Sequence, residues 1–437
     1  MAQLAVHSEK SSLRSLASEY TSLPTTVHIL CVGSLLNRAG SFVMIFLSIY
    51  VAEQLQLGAQ FATRCVGMVG LGSVVSSLIG GQLADQFGRR ATMLFALLGG
   101  STMLVVMSQL TTAAGFLISV LLFALIMEMY RPACAAMIGD VSSSAQRPYS
   151  FGLMYIAINL GFAISPPIGG LLARVDFRWL FWGDAITTAG FALIVLFCIR
   201  ETKPASTGSG TSELDGDALA ESGGRSDRLT EDSNETVPLR IAVLHIARDH
   251  TFLLYCLCNL LTCIVFMQSF STLPLHLMAH GYTKFEYGAM ICVNGGMIVL
   301  LQLPITHALN RFNRVGTILA GECLLAAGFG LTTFANSTAM FVFTIVLWTC
   351  GEIVQAPFKQ SIVADLAPPE MRARYMGVFT VSYALALMIG APLGGEVLVR
   401  LGSNWLWPGC FLVMLTAIVL YISIFRRLSE ACRTRSG

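Results

Sequence analysis

The chain has 437 residues, of which 55% are hydrophobic and only 12% charged, and its mean hydropathy is +0.69. A soluble globular domain carries about 25% charged residues, so this composition excludes an ordinary soluble protein and points to a polytopic membrane protein. The net charge of +2 is too small to argue for nucleic acid as a partner.

Crossing the hydrocarbon core takes about 20 apolar residues in a helix. Residues 1–26 are polar, and the apolar run behind them is too long, and lacks the small-residue cleavage site, for a secretory signal peptide. A cytoplasmic tail followed by a retained helix is expected. Predicted spans then lie at 27–51, 62–84, 91–109, 112–135, 149–173 and 178–199, a first six-helix half over 27–200. Residues 201–250 break the pattern, with Ser, Gly, Asp, Glu and Thr dominating from Lys203 to Glu235, which predicts a mostly disordered linker. Spans at 251–275, 284–308, 315–334, 337–361, 374–398 and 404–425 form a second half over 251–426, and 427–437 is a short tail.

Basic residues are sided. Lys10, Arg14, Arg89, Arg90, Arg147, Arg240, Arg248, Arg311, Arg314, Arg372, Arg426 and Arg427 fall in segments on one side, while the other side holds only Arg64, Arg174, Arg178, Lys284 and Arg400. The positive-inside rule puts both termini and the linker in the cytoplasm. Short loops and low lysine content suggest a bacterial inner membrane. The cysteines are scattered through apolar spans without metal spacing and read as small buried hydrophobes. His276 and His280, one helical turn apart, read as interfacial histidines rather than metal ligands.

Between the second and third spans runs Gly81-Gln-Leu-Ala-Asp-Gln-Phe-Gly-Arg-Arg90, a segment too charged for lipid. Gly81 and Gly88 let helix ends approach closely, and Asp85 and Arg89 can pair. Sliding the chain by 225 residues aligns Asp85 with Asn310, Arg89 with Arg314, Pro132 with Pro357, Asp140 with Asp365, Arg147 with Arg372, Gly152 with Gly377 and Trp182 with Trp407. The two halves are parallel repeats. The loop resembles the signature G-x-L-a-D-r-x-G-r-r of the major facilitator superfamily, matched at Gly81, Leu83, Ala84, Asp85, Gly88, Arg89 and Arg90, and the resemblance covers nearly the whole chain.

That resemblance implies an all-α major facilitator fold of 12 transmembrane helices in two six-helix halves, with the substrate site between them. It makes Asp85, Arg89 and Arg90 a conformational gate that holds the cytoplasmic side closed against the second half. The fifth span, with Gly152, Gly161, Ser165, Pro166, Gly169 and Gly170, resembles the drug:proton antiporter motif of the 12-helix efflux family, with Ser165 where glycine is usual. Within spans, where ionisable groups cost roughly 2.5–3.5 kcal/mol each, Arg38 lies mid-span, and Glu128 and Arg131 share one helix face of the fourth span. The first and fourth helices line the cavity in the family, so these three are the expected proton-coupling cluster. Gln268, Glu352 and Lys359 are expected to line the same cavity from the second half, among Phe266, Phe270 and Trp348. The family's drug exporters carry an arginine in the outer half of the fourth span, and Val120–Met127 has none.

No P-loop, zinc motif or nucleophile elbow is present, and Gly67, Gly70 and Gly72 fall inside an apolar helix where a dinucleotide site has no place. The chain therefore reads as a transporter rather than an enzyme, with no cofactor and the proton gradient as energy source. Its expected partners are a small molecule, protons and the lipid bilayer, and one chain holds both halves and is expected to act as a monomer. The expected activity is proton-coupled export of small amphipathic compounds, with nutrient symport or uniport, or a non-transporting receptor, as alternatives.

Overall fold

A computed structural model describes residues 21–143, 146–202, 239–368 and 371–434. The expectations for the N-terminal tail and for most of the linker fall on 1–20 and 203–238, outside the described residues. Among those described, eleven helices are long and apolar enough to cross a membrane: Thr25–Gln54, Arg89–Met107, Ala113–Val141, Tyr149–Val175, Arg178–Cys198, His250–Ala279, Lys284–Leu309, Arg314–Phe334, Thr338–Leu366, Arg374–Arg400 and Ser403–Glu430. Gly58–Ser77 and Ile79–Phe87, bent by 42°, make a twelfth span when taken together. Below, these are spans 1 to 12 in chain order. Two predicted boundaries shift. Leu239–Arg248, inside the expected linker, is helical, with Ile246 buried in the second half and His245 Nδ1 3.0 Å from the Tyr375 hydroxyl. The last helix runs through the expected tail to Thr434.

Three further spans are interrupted, and the sequence supplies local reasons. Span 4 breaks between Met127 and Tyr130, where Pro132 has its i−4 carbonyl at Glu128 and its ring would clash with a continuous helix. Span 7 restarts at Leu273 just before Pro274. Span 1 stops at Ala39 and restarts at Phe42. Gly40 at that break lies against Thr187 of span 6, so close that a Cβ would fall on the threonine side chain.

In the first half, span 1 packs on spans 5 and 6, span 3 on span 6, and span 2 on span 4. In the second, span 9 packs on spans 10 and 12, span 7 on 11 and 12, and span 8 on 10. The halves meet mainly along two pairs, 5 with 8 and 2 with 11, which exchange under the repeat. In a bilayer, helix association rests on backbone approach through small residues, because lipid is as apolar as the side chains. Gly288 of span 8 lies directly on the Pro166 carbonyl of span 5, and Gly70 of span 2 on the Met388 amide of span 11.

Polar contacts reinforce the join at the end away from the Gly81–Arg90 loop. Glu396 of span 11 binds Arg64 at 2.9 Å, Arg400 at 2.8 Å and the Gln60 amide at 3.0 Å. Lys284 Nζ lies 3.5 Å from Glu53 and 4.1 Å from the Phe177 ring centroid, and the Arg174 guanidinium lies 4.6 Å from that of Phe285. Among the described residues, the ion pairs at the loop end are Asp85–Arg89–Asp140 in the first half and Arg314–Asp365 in the second. The halves are therefore clasped at one end.

Gly288→Val and Gly70→Val should loosen the clasp, since overpacking costs about 1–3 kcal/mol. In a background lacking the exposed Cys198 and Cys323, a cysteine replacing buried Thr63 should react with an impermeant maleimide about tenfold faster in either variant. Unchanged labelling would show that these contacts do not hold the end shut.

Candidate functional site

The break in span 4 builds the first-half cluster. With the helix interrupted at Glu128 and Met129, Tyr130 and Arg131 begin a new segment, and Arg131 Nε pairs with Glu128 Oε2 at 2.9 Å. Arg38 of span 1, whose Cβ lies against Gly161 of span 5, donates from Nη2 to the Tyr130 hydroxyl at 3.2 Å. The structure thus joins Glu128 to Arg131 as expected, and brings Arg38 to Tyr130 instead of into an ion pair with Glu128. Glu128 and Asp184 both lie within electrostatic range of the Arg38 guanidinium.

Asp184 was missed by sequence reasoning. It is buried in span 6, accepts the Val43 amide at 3.3 Å and the Thr188 hydroxyl at 3.4 Å, and Thr188 in turn accepts from the Asn37 amide at 2.9 Å. The carboxylate sits at the N-terminus of the second segment of span 1, where exposed N–H groups favour negative charge. Its signal was a lone carboxylate between Arg178 and Cys198 in an otherwise apolar span.

Second-half residues divide into three environments. Gln268 is buried and spends its amide at the span 7–span 11 junction, donating to the Ile264 and Gly390 carbonyls at 2.9 and 2.8 Å and accepting from Ser271 and Thr272. It ties helices together, and its amide is not left free for cargo. Lys359 is buried too, and its Nζ pairs at 2.9 Å with Glu322 of span 9, a fully buried carboxylate that also accepts the Thr262 hydroxyl at 2.9 Å. The expected cavity-facing lysine is thus half of an ion pair inside the second half. Glu322, like Asp184, is a lone carboxylate in an apolar span. Glu352 differs: it is partly accessible and, among the described residues, accepts only from the Asn294 amide of span 8 at 3.0 Å. The expected aromatics lie together, Phe266 against Trp348 at 5.7 Å, Phe270 at 5.9 Å from Phe266, and Phe162 of span 5 at 5.8 Å from Phe270.

The fifth-span motif works at helix contacts. Gly161 lets span 1 approach at Leu35 and Arg38, Gly169 receives the Phe46 ring, and Gly170 faces the backbone of Lys284 and Phe285. The Pro166 carbonyl lies against Gly288, Ser165 is buried with no hydroxyl partner among the described residues, and Gly152 lies near the start of the helix.

In the gate loop, Gly88 has φ of 103°, which only glycine adopts without strain. Glu201 accepts the Arg89 and Arg90 amides at 2.8 and 3.1 Å and so caps span 3. Arg89 bridges Asp85 and Asp140, each at 3.1 Å, and Arg90 donates to the Leu196 carbonyl at 2.7 Å. Among the described residues, the ion pairs of Asp85 and Arg89 lie inside the first half. A Cβ on Gly81 would meet open space, so close helix approach is not the reason for glycine there.

Removing one partner of a buried ion pair costs about 3–5 kcal/mol. Glu322→Ala should therefore lower the thermal midpoint of the purified protein sharply, and Glu322→Leu combined with Lys359→Met should recover most of the loss. Equal midpoints for Glu322→Ala and the native protein would show that the pair is not desolvated.

The Major Facilitator Superfamily profile matches residues 30–301 and 256–436. A Na(+), Li(+), K(+)/H(+) antiporter of Planococcus maritimus is 25% identical over 89% of this chain and 93% of its own length. The multidrug resistance protein MdtH of Aeromonas hydrophila is 22% identical over 91% of this chain and 95% of its own. Among solved structures, a POT family transporter in complex with a thioalcohol-conjugated peptide superposes with a TM-score of 0.74 at 16% identity, covering 94% of this chain and 99% of that one. With twelve spans in two repeated halves and a family match over nearly its whole length, the chain is a member of the major facilitator superfamily, a transporter and not an enzyme.

Proposed function

We propose that the protein is a proton-coupled exporter of small amphipathic compounds, working by alternating access in a bacterial inner membrane. The loop end is the cytoplasmic end, on the sidedness of the basic residues. On this reading the tail 1–26, the linker 201–250 and both termini are cytoplasmic, the clasped end faces outward, and the structure is an inward-facing state. The chain acts as a monomer, with the proton gradient in place of a cofactor.

The observation that carries the coupling is the Glu128–Arg131 ion pair, 2.9 Å long and placed at a helix break inside the membrane. On this reading a proton taken up by Glu128 frees Arg131 and removes a negative charge near Arg38, changing the charge at the break in span 4. Support for exchange comes from the fifth-span motif at the clasp and from relatives named as a cation/proton antiporter and a multidrug resistance protein. Gate closure would bring the Asp85–Arg89 loop against the second half as the clasp opens.

Inverted vesicles carrying the protein and a pH-sensitive dye should release protons on addition of an exported compound. Glu128→Gln should abolish that response while the protein still inserts. Proton movement that survives in Glu128→Gln would remove this residue from coupling. Compound entering together with protons would favour symport, and compound binding without flux would favour a receptor.

A further inference from the structure

Span 7 ends in two histidines, of which only one has the surroundings of an interfacial side chain. The segment Leu273–Ala279 restarts the span after its break, and Gly281, with φ of 81°, stops the helix just beyond His280. His276 and His280 stand one turn apart on one helix face, with ring centroids 4.2 Å apart. His280 is exposed. His276 is only 5% exposed and is enclosed by Phe341 at 5.7 Å and Trp407 at 5.4 Å.

Packing leaves two features of the pair unaccounted for. Among the described residues, His276 Nε2 and the neighbouring Trp407 Nε1 are buried without a hydrogen-bond partner. A polar atom left so is costly, and folded proteins usually meet the cost with a bound water or ion. The second feature is that His280 Nδ1 lies 2.8 Å from the His276 carbonyl oxygen. A carbonyl only accepts, so Nδ1 carries the proton and the Nε2 lone pair is left to bind. A ring N–H held by a backbone carbonyl is the support that metal-bound histidines generally have.

We infer that His276 and His280 bind a divalent transition-metal ion of the zinc, copper and nickel type at the clasped end. Two histidines at i and i+4 on one helix face are a zinc-binding spacing. Ring centroids 4.2 Å apart suit one ion about 2.0–2.1 Å from a nitrogen of each ring. Imidazole selects these ions over magnesium and calcium, which take oxygen ligands. Among the described residues no third His, Cys, Asp or Glu joins the pair, so water completes the coordination, and the Trp407 N–H is a donor beside it for such a water. Exposed His280 gives the ion its way in, while Phe341 and Trp407 wall the inner side. Because Leu273–Ala279 packs on Phe42–Ile49 of span 1, the ion fixes the last turn of an element that joins the halves. The site is independent of the cargo and of the direction of transport.

Bound Cu2+ quenches a nearby indole, so Trp407 reports the site directly. The full chain, purified without a histidine tag, lacking the exposed Cys198 and Cys323 and held in lipid nanodiscs, is titrated with Cu2+ alone and followed by tryptophan emission. Quenching should saturate and should shrink in Trp407→Phe; excess zinc should reverse it and magnesium should not. His276→Ala and His280→Ala should each weaken Cu2+ binding at least about tenfold, since even an outer-shell partner is worth that much at a metal site. His280 is exposed, so His280→Ala keeps the test decisive if His276→Ala fails to insert. The native midpoint in His280→Ala, a response that never saturates in the native chain, or reversal by magnesium as readily as by zinc would each overturn the inference.

Discussion

The contact on which the rest depends is the backbone approach of span 5 to span 8 and of span 2 to span 11. Between helices in lipid there is no hydrophobic drive to hold two halves together, so association relies on close packing and a few polar links. Gly288 on the Pro166 carbonyl and Gly70 on the Met388 amide bring main chains together where any side chain would hold them apart. Glu396, Arg64 and Lys284 add charge at the rim of the same end, where water reduces the contribution of each pair. A join made of small-residue packing and screened ion pairs is firm enough to define a state and weak enough to exchange for another.

Inside the bundle the governing constraint is the cost of charge. It is met by pairing at Glu322–Lys359, by a helix N-terminus at Asp184, and by a break that places Glu128 beside Arg131. The breaks in spans 1 and 4 position the first-half groups, since Pro132 interrupts the helix at the turn that carries Glu128, Tyr130 and Arg131. Glu352 lacks a partner of opposite charge among the described residues, and it lies where the two halves face each other.

The spans and their repeat were legible because a membrane helix needs a long apolar run, and Arg89, Pro132 and Asp140 recur at one offset. Span ends read less well, since helices such as Gly58–Phe87 and Ser403–Thr434 continue into polar sequence once outside the hydrocarbon. Glu128 and Arg131, three residues apart, declared their pairing, whereas the Lys359–Glu322 and Asn37–Thr188–Asp184 links join residues distant in sequence and needed the packing of spans to appear. That Gly161 of the fifth span serves span 1 and Gly170 serves span 8 is a matter of helix rotation that a motif does not encode.

The central claim is that the two ends of this molecule open in alternation. Spin labels at exposed Thr111 and Asn336 report the clasped end, and labels at exposed Ser143 and Arg311 the loop end. Distances measured for both pairs over a pH series, with and without compound, should change in opposite directions, one end widening as the other closes. Two distances that stay fixed, or that rise and fall together, would contradict the account.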